Sequence, residues 1–341
     1  MFYDHRIAVL VPAYQVERWI QDVLEGIPDY VDHIIVIDDK STDATFEKIS
    51  ASSDPRIRLF RHATNQGVGG AMRTGFQEAM KLSVDICVKM DGDGQMDPYY
   101  LPALLYPLIL NECDYTKGNR FSFVADNSSM PRVRRFGNGL LSFLSKVCSG
   151  YWHIFDPQNG YLAIRTDCLR RFPAKWIDTT YFFENSMLIS LNVVDARVSD
   201  VLIPSRYGEQ ESSMSISWVL RWFPFKLVRG FSRRIYWRYI YRDLSPVAIM
   251  FSLGSFLFVA GVGWGGLAWY RSFVEAAEAS VGTLALGLIP ILLGFQLLLS
   301  ALLQDVQLSP GGIRKVYDFS TRELKSIVSH SAEPMQDSLG S

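Results

Sequence analysis

The sequence has no paired-cysteine pattern, no histidine cluster and no excess of either charge. Its four cysteines, Cys87, Cys113, Cys148 and Cys168, lie far apart with no C-x-x-C or Cys/His spacing. That excludes a zinc ribbon and fits reduced thiols in a cytosolic compartment better than a disulfide frame. Across 341 residues, 34 Lys and Arg against 35 Asp and Glu leave a formal net charge of -1. No global field therefore recruits nucleic acid, and any anion must be bound by local patches. The N-terminus, Met1-Phe2-Tyr3-Asp4-His5-Arg6, has no basic stretch ahead of a long apolar run, so no cleaved signal peptide is expected. Charge is also missing from two runs near the C-terminus, Pro246 to Tyr270 and Val281 to Val306, where none occurs until Asp305.

Each run exceeds the roughly 20 helical residues needed to cross a hydrocarbon core of about 30 Å, so the pair reads as a transmembrane hairpin. Gly254, Gly261, Gly263, Gly265 and Gly266 in the first span suit close helix packing, within the hairpin or in a homo-oligomer. Two spans without internal polar groups give no transport pathway in a monomer. Arg221, Lys226, Arg229, Arg233, Arg234, Arg238 and Arg242 precede the first span, whereas the link carries Arg271 with Glu275 and Glu278. Basic flanks stay cytoplasmic, which puts the N-terminal part and the C-terminal tail on that side. Between them, Ile216 to Tyr241 mixes those cations with Trp218, Trp222, Phe223, Phe225, Phe231, Tyr236, Trp237, Tyr239 and Tyr241, the pattern of one or two helices in a membrane interface, with Pro224 as the break. The expected organisation is a catalytic domain over 1–215, interfacial amphipathic helices over 216–245, a hairpin over 246–306 and a cytoplasmic tail over 307–341.

The first 120 residues alternate strand and helix patterns. Ile7 to Pro12, His33 to Asp39 and Ile57 to His62 read as strands, and Asp85 to Met90 climbs as another into Asp91. Glu17 to Ile27, a segment capped by Ser41-Thr42-Asp43-Ala44 and running to about Ser50, and Gly69 to Leu82 read as helices. A further helix is expected over Phe136 to Cys148. Such alternation predicts an α/β fold, a parallel sheet with helices on both faces, and ligands beyond the carboxyl ends of its strands. Asp38-Asp39 and Asp91-Gly92-Asp93 both stand at such ends.

An Asp-x-Asp turn offers hard oxygen ligands for Mg²⁺ or Mn²⁺, and such an ion commonly bridges nucleotide phosphates. Gly92 and Gly94 let the backbone turn and approach a ligand closely. Asn65-Gln66-Gly67-Val68-Gly69-Gly70 lacks the G-x-G-x-x-G spacing and does not follow the first strand, so a dinucleotide-binding dehydrogenase fits poorly.

Val11-Pro12-Ala13-Tyr14, Val36-Ile37-Asp38-Asp39-Lys40-Ser41-Thr42-Asp43, Asn65-Gln66-Gly67, Met90-Asp91-Gly92-Asp93-Gly94-Gln95 and Gly118-Asn119-Arg120 occur in this order. The series resembles the motifs of family 2 glycosyltransferases with the GT-A fold, a Rossmann-like nucleotide-sugar transferase domain. Asp156-Pro157-Gln158-Asn159-Gly160-Tyr161 and Arg206-Tyr207-Gly208-Glu209 extend the likeness to the branch similar to dolichyl-phosphate mannose synthase and bacterial polyprenyl-phosphate glycosyltransferases, over roughly residues 5 to 245. The resemblance implies that Pro12, Ala13, Tyr14, Asp38 and Asp39 hold the nucleotide of a UDP- or GDP-sugar, that Asp91, Gly92 and Asp93 lie along it, and that Asp91, Asp93 and Gln95 take the metal. It implies a polyprenyl phosphate acceptor at the cytoplasmic face, in a bacterium that of the inner membrane. Two positions depart from the family: Gln15-Val16 stands where Asn-Glu is usual, with Glu17 one place later, and Lys40 replaces a glycine.

Arginines suit a lipid phosphate because their forked donors match its oxygens. Arg120 and Arg206 lie in the family-like motifs, and Arg132, Arg134 and Arg135 cluster before the helix at Phe136; Arg120, Arg135 and Arg206 are the expected phosphate binders and, with Asp93, the catalytic set. Glu184, in Tyr181-Phe182-Phe183-Glu184-Asn185, supplies a competing reading as base for a hydroxyl acceptor, although Asn185 replaces the usual Asp and Trp218 to Trp222 lacks the glutamine of processive synthases. A third reading is a membrane scaffold or sensor that binds a nucleotide sugar without turnover.

Overall fold

The computed structural model describes residues 1–120, 132–204, 216–275, 278–311 and 316–331, with side chains of the two partly described helices starting at 139 and 222. Two compact units emerge, Met1–Gly230 with Pro310–Ser341, and Phe231–Ser309.

In the first unit the chain runs β1 (Ile7–Ala13), α1 (Ile20–Glu25), β2 (His33–Asp38), α2 (Thr45–Ser50), β3 (Ile57–Arg61), α3 (Val68–Lys81), β4 (Ile86–Lys89), α4 (Leu101–Ile109), β5 (Tyr115–Asn119), α5 (Arg132–Ser149), β6 (Leu162–Arg165), α6 (Thr166–Leu169), α7 (Phe183–Val193) and β7 (Val198–Leu202). The helix α8 (Ile216–Ile235) leads out of it, α9 (Pro246–Glu275) and α10 (Val281–Gln307) form the second unit, and β8 (Val316–Tyr317) with α11 (Thr321–His330) returns to the first.

Eight strands make one sheet in the order β3-β2-β1-β4-β6-β5-β7-β8. β1, β2, β3 and β4 are parallel, as the alternation predicts, but β6 runs antiparallel to both β4 and β5. The sheet is therefore mixed. β1 and β2 read as continuous apolar runs because both their faces are covered. Ile7, Val9 and Val11 meet Ile20, Leu104 and Leu108 on one side, while Ala8, Leu10 and Ile37 meet Met72 and Phe76 on the other. All four cysteines are buried thiols, and burial pushes Cys87, Cys113 and Cys168 up to about 12.

The last strand has no counterpart in the sequence reading. Val316 and Tyr317 pair in parallel with Asp200 and Val201. Tyr317 donates to the Glu112 carboxylate, and α11 buries Leu324 and Ile327 in the same core cluster as Leu104 and Leu108. A capping box starts α11: the Ser320 hydroxyl accepts from Glu323 N at 3.3 Å and the Glu323 carboxylate accepts from Ser320 N at 2.7 Å.

α8 is continuous through Pro224, and a π-helical stretch, Tyr236–Tyr241, follows it. The expected break is displaced to the stretch after α8. Proline removes one helical donor, and the structure takes that loss within the helix. In the second unit α9 and α10 are long and apolar enough to cross a membrane. Their closest approach is through glycine: a Cβ on Gly294 would stand 2.5 Å from Phe258 N, and one on Gly261 2.8 Å from the Gly287 carbonyl. Arg234, fully buried, forks onto Asp305 at 2.6 and 2.9 Å, and Tyr239 donates to the same carboxylate at 2.6 Å. The one acid of the apolar runs is thereby paired.

Candidate nucleotide-sugar site

β1, β2 and β4 end side by side, and the residues at and just after their carboxyl ends wall a cleft of about 1020 Å³. Its lining brings together Pro12, Ala13 and Tyr14 from β1, Asp39 after β2, and Lys89, Asp91, Gly92 and Asp93 from the end of β4. Asn65, Gln66 and Gly67 close one side, and Thr180, Tyr181 and Glu184 another.

Asp39 is 3 % exposed and organises the loop beside it. Its carboxylate accepts from Gln66 N at 2.8 Å and Gly67 N at 2.7 Å, and lies 2.7 Å from His62 Nδ1. His62 Nε2 in turn lies 2.9 Å from the Thr74 hydroxyl on α3. Gly67 has φ +80°, a conformation that favours glycine, and Gly69 is packed so tightly that a Cβ would fall 1.8 Å from the Asp178 carbonyl. The first turn of α3 is tied to that loop, since Gly69 N and Gly70 N both donate to the Thr179 carbonyl, at 2.9 and 3.2 Å.

Asp38 does not line the cleft. It is fully buried, paired with Arg61 Nε at 2.9 Å, and accepts from Ser41 N at 3.0 Å, so it holds the turn rather than facing a ligand. In that turn Lys40 has φ +67°, the left-handed conformation for which a glycine is the easy choice. Glu17 is spent on α2, accepting from Ala44 N at 2.8 Å, and it too lies off the cleft lining.

The Asp91 to Gln95 turn is built around like charges. Burial, and next the Asp91 carboxylate, push the Asp93 carboxyl above its ordinary value, and Gln95 N donates to Asp93 at 3.0 Å. Two facing carboxylates and an amide oxygen are a hard, all-oxygen donor set, which a divalent cation would relieve of its repulsion and could share with phosphates. Among the described residues no three His, Cys, Asp or Glu gather as a ready-made cage. Gln95 itself lies outside the cleft lining.

Sequence reasoning missed the cation beneath this turn. Lys89 is 1 % exposed, and its ammonium sits 2.6 Å from Asp91 and 3.9 Å from Glu184. Burial opposes its charge, but Asp91 and Glu184 outweigh that and hold its pKa above the ordinary lysine value. Lys117 is buried on β5, two strands along the sheet, and donates to the Asn159 carbonyl; burial lowers it to about 8. Burial also raises the Glu184 carboxyl, against the pull of Lys89 and Lys117. The signal was present: a lysine inside the apolar run Ile86 to Met90 must be buried with a counter-charge or not be in a strand at all.

Of the expected phosphate-binding arginines, Arg120 follows β5 and pairs with Asp156 at 2.8 Å, away from the cleft lining. The side chain of Arg135, on α5, and the whole of Arg206 lie outside the described residues, as do the side chains of Arg132 and Arg134.

Residues 8–172 match the family described as Glycosyl transferase family 2. A UDP-N-acetylglucosamine–dolichyl-phosphate N-acetylglucosaminyltransferase of Methanococcus voltae is 28% identical over 221 residues, covering 60% of this chain and 88% of that protein. An undecaprenyl-phosphate mannosyltransferase of Micrococcus luteus is 27% identical over 211 residues, covering 60% of this chain and 85% of its own. Among solved structures, S. aureus TarS 1-349 in complex with UDP-GlcNAc covers 89% of this chain and 84% of that one at 16% identity, with a TM-score of 0.48.

Proposed function

We propose that this chain, a family 2 glycosyltransferase with the GT-A fold, moves a sugar from a UDP- or GDP-sugar onto a polyprenyl phosphate at the cytoplasmic face of a membrane. The observation that carries the reading is the cleft at the ends of β1, β2 and β4, in a chain whose other unit is a pair of helices apolar enough for a bilayer. Its support also comes from relatives whose names specify dolichyl or undecaprenyl phosphate.

On this reading Pro12, Ala13, Tyr14 and Asp39 receive base and ribose, and Asp91 with Gly92 follows the diphosphate. A divalent cation held by Asp91, Asp93 and Gln95 would supply neutralisation of the departing nucleoside diphosphate. The acceptor brings its own nucleophile, since a phosphate monoester has a second pKa of about 6 and is ionised near neutrality. The protein therefore has to align that oxygen behind the anomeric carbon, which gives inversion, and no general base is needed. Arg120, Arg135 and Arg206 are assigned to the lipid phosphate. The return of β8 to the sheet supports both ends of the hairpin emerging on one side, as the basic flanks require.

A second reading is favoured by one observation: Glu184 lines the cleft and burial raises its carboxyl, as suits a base for a hydroxyl acceptor. One experiment separates the two. Purified protein is incubated with undecaprenyl or dolichyl phosphate and a panel of UDP- and GDP-sugars, and the lipid product is read by mass spectrometry. The expected product is a sugar monophosphoryl lipid, abolished in Asp93→Ala and by a chelator, and retained at least in part by Glu184→Gln. Transfer only to a hydroxyl acceptor, lost in Glu184→Gln, would establish the second reading instead. Nucleotide-sugar binding without turnover would make the protein a sensor.

A further inference from the structure

Among the described residues, more acids than bases line the donor cleft. Asp39, Asp91, Asp93 and Glu184 line it, against Lys89 and Arg18. Lys89 lies at the carboxylates, with its ammonium between Asp91 and Glu184 at 2.6 and 3.9 Å.

Register explains why that lysine stays in place. Lys89 on β4 is opposite Leu162 on β6, Leu162 is opposite Lys117 on β5, and Lys117 is opposite Asp200 on β7. Neighbours across a sheet share a face, so Lys89, Leu162, Lys117 and Asp200 form one buried row, with Leu162 between the two lysines and Asp200 beside the second. The ammonium also has a seat made by the absence of a side chain. A Cβ at Gly160 would stand 2.5 Å from Lys89 Nζ and 3.1 Å from Asp91 Oδ2. Glycine at 160 is thus what lets the lysine reach Asp91 at all.

We propose that Lys89 is a positioning residue that acts as the resident counter-cation of the donor site: by holding Asp91 and Glu184 it lowers the site's appetite for a metal ion alone and keeps it open to a diphosphate. The inference rests on the donor-site reading above. Its physical content is a pair of opposed effects. Removing the ammonium takes a counter-charge away from Asp91 and Glu184, which must draw a divalent cation more strongly and repel a nucleoside diphosphate more strongly. A residue that merely supported the fold would weaken both on removal.

The test uses full-length protein in detergent and two direct binding measurements, Mn²⁺ alone by electron paramagnetic resonance, and UDP and GDP in EDTA by calorimetry. Lys89→Met is expected to bind Mn²⁺ at least about 3-fold more tightly and the preferred nucleotide about 10-fold more weakly than wild type, and Lys89→Arg to restore part of both shifts, as expected of charges acting over a few ångströms. Gly160→Ala keeps the lysine but displaces its flexible end, and it is expected to shift both affinities in the same directions by less; it carries the test should Lys89→Met not fold. Parallel weakening of both ligands, or no change in either, overturns the proposal. Failure of the wild-type protein to bind UDP or GDP both in EDTA and with Mn²⁺ present overturns the donor-site reading itself, and the two failures are therefore distinct.

Discussion

At the scale of single residues, the molecule keeps several charges where water cannot reach them. Asp200 is fully buried; it accepts from Asn119 Nδ2 and Phe155 N, both at 2.9 Å, while its other oxygen finds no partner among the described residues. Burial pushes its carboxyl up to about 7. In the unfolded chain the same group ionises near 3.9, so between about pH 4 and 7 the folded state holds a proton that the unfolded state has lost. Stability from this group is complete below about pH 4, falls as pH rises to about 7, and is constant above. Asp200→Asn keeps an acceptor for both donors and abolishes the ionisation. Its melting temperature is expected to gain on wild type from pH 5 to 7 and to level off above pH 7 in scanning calorimetry. A constant difference across that range would show that Asp200 is not the titrating group.

Elements set how such residues reach the site. Lys226 was counted among the basic residues flanking the membrane, but on α8 it is bonded to Asp178 at 2.8 and 2.9 Å and to the Thr180 hydroxyl at 2.8 Å. The loop it grips caps α3 through the Thr179 carbonyl and contributes Thr180 and Tyr181 to the cleft. That junction has no slack at Gly69. Gly69→Ala would drive a methyl group against the Asp178 backbone, a clash that typically costs about 1 to 3 kcal/mol or more. The expected result is a lower melting temperature together with a raised KM for the nucleotide sugar; normal values of both would mean that the loop yields. β1, β2 and β4 were legible because apolar runs ending in carboxylates leave few alternatives, and Asp39, Asp91 and Asp93 came with them. The reversed β6 was not, since alternation of strands and helices fixes neither order nor direction. Lys89 was passed over because a lysine beside an acidic turn reads as solvated until the strand is known to be covered on both faces, and Asp38 was misplaced because adjacent residues on a strand point to opposite sides.

For the whole molecule the decisive fact is that the first unit is discontinuous in sequence. Two residues of strand carry no periodicity, which is why β8 could not be read, yet they anchor a segment that matters. Leu324 and Ile327 of α11 are buried, each contributing roughly 1.5 to 3 kcal/mol, and Tyr3 donates to the Ile327 carbonyl at 2.8 Å. Truncation after Ser309 should therefore lower the melting temperature of the first unit by several degrees and speed hydrogen exchange along β7, although every cleft-lining residue remains. An unchanged melting temperature would make the tail dispensable.

The returning strand also imposes an order on birth. A ribosome releases residues 1–230 first, then the apolar pair, and only afterwards the stretch that closes the sheet beside β7. Until the hairpin has been synthesised, the edge of β7 lacks its neighbour. The sheet is thus completed only on chains whose apolar pair has already been made, and closing the fold waits on the last segment to be synthesised.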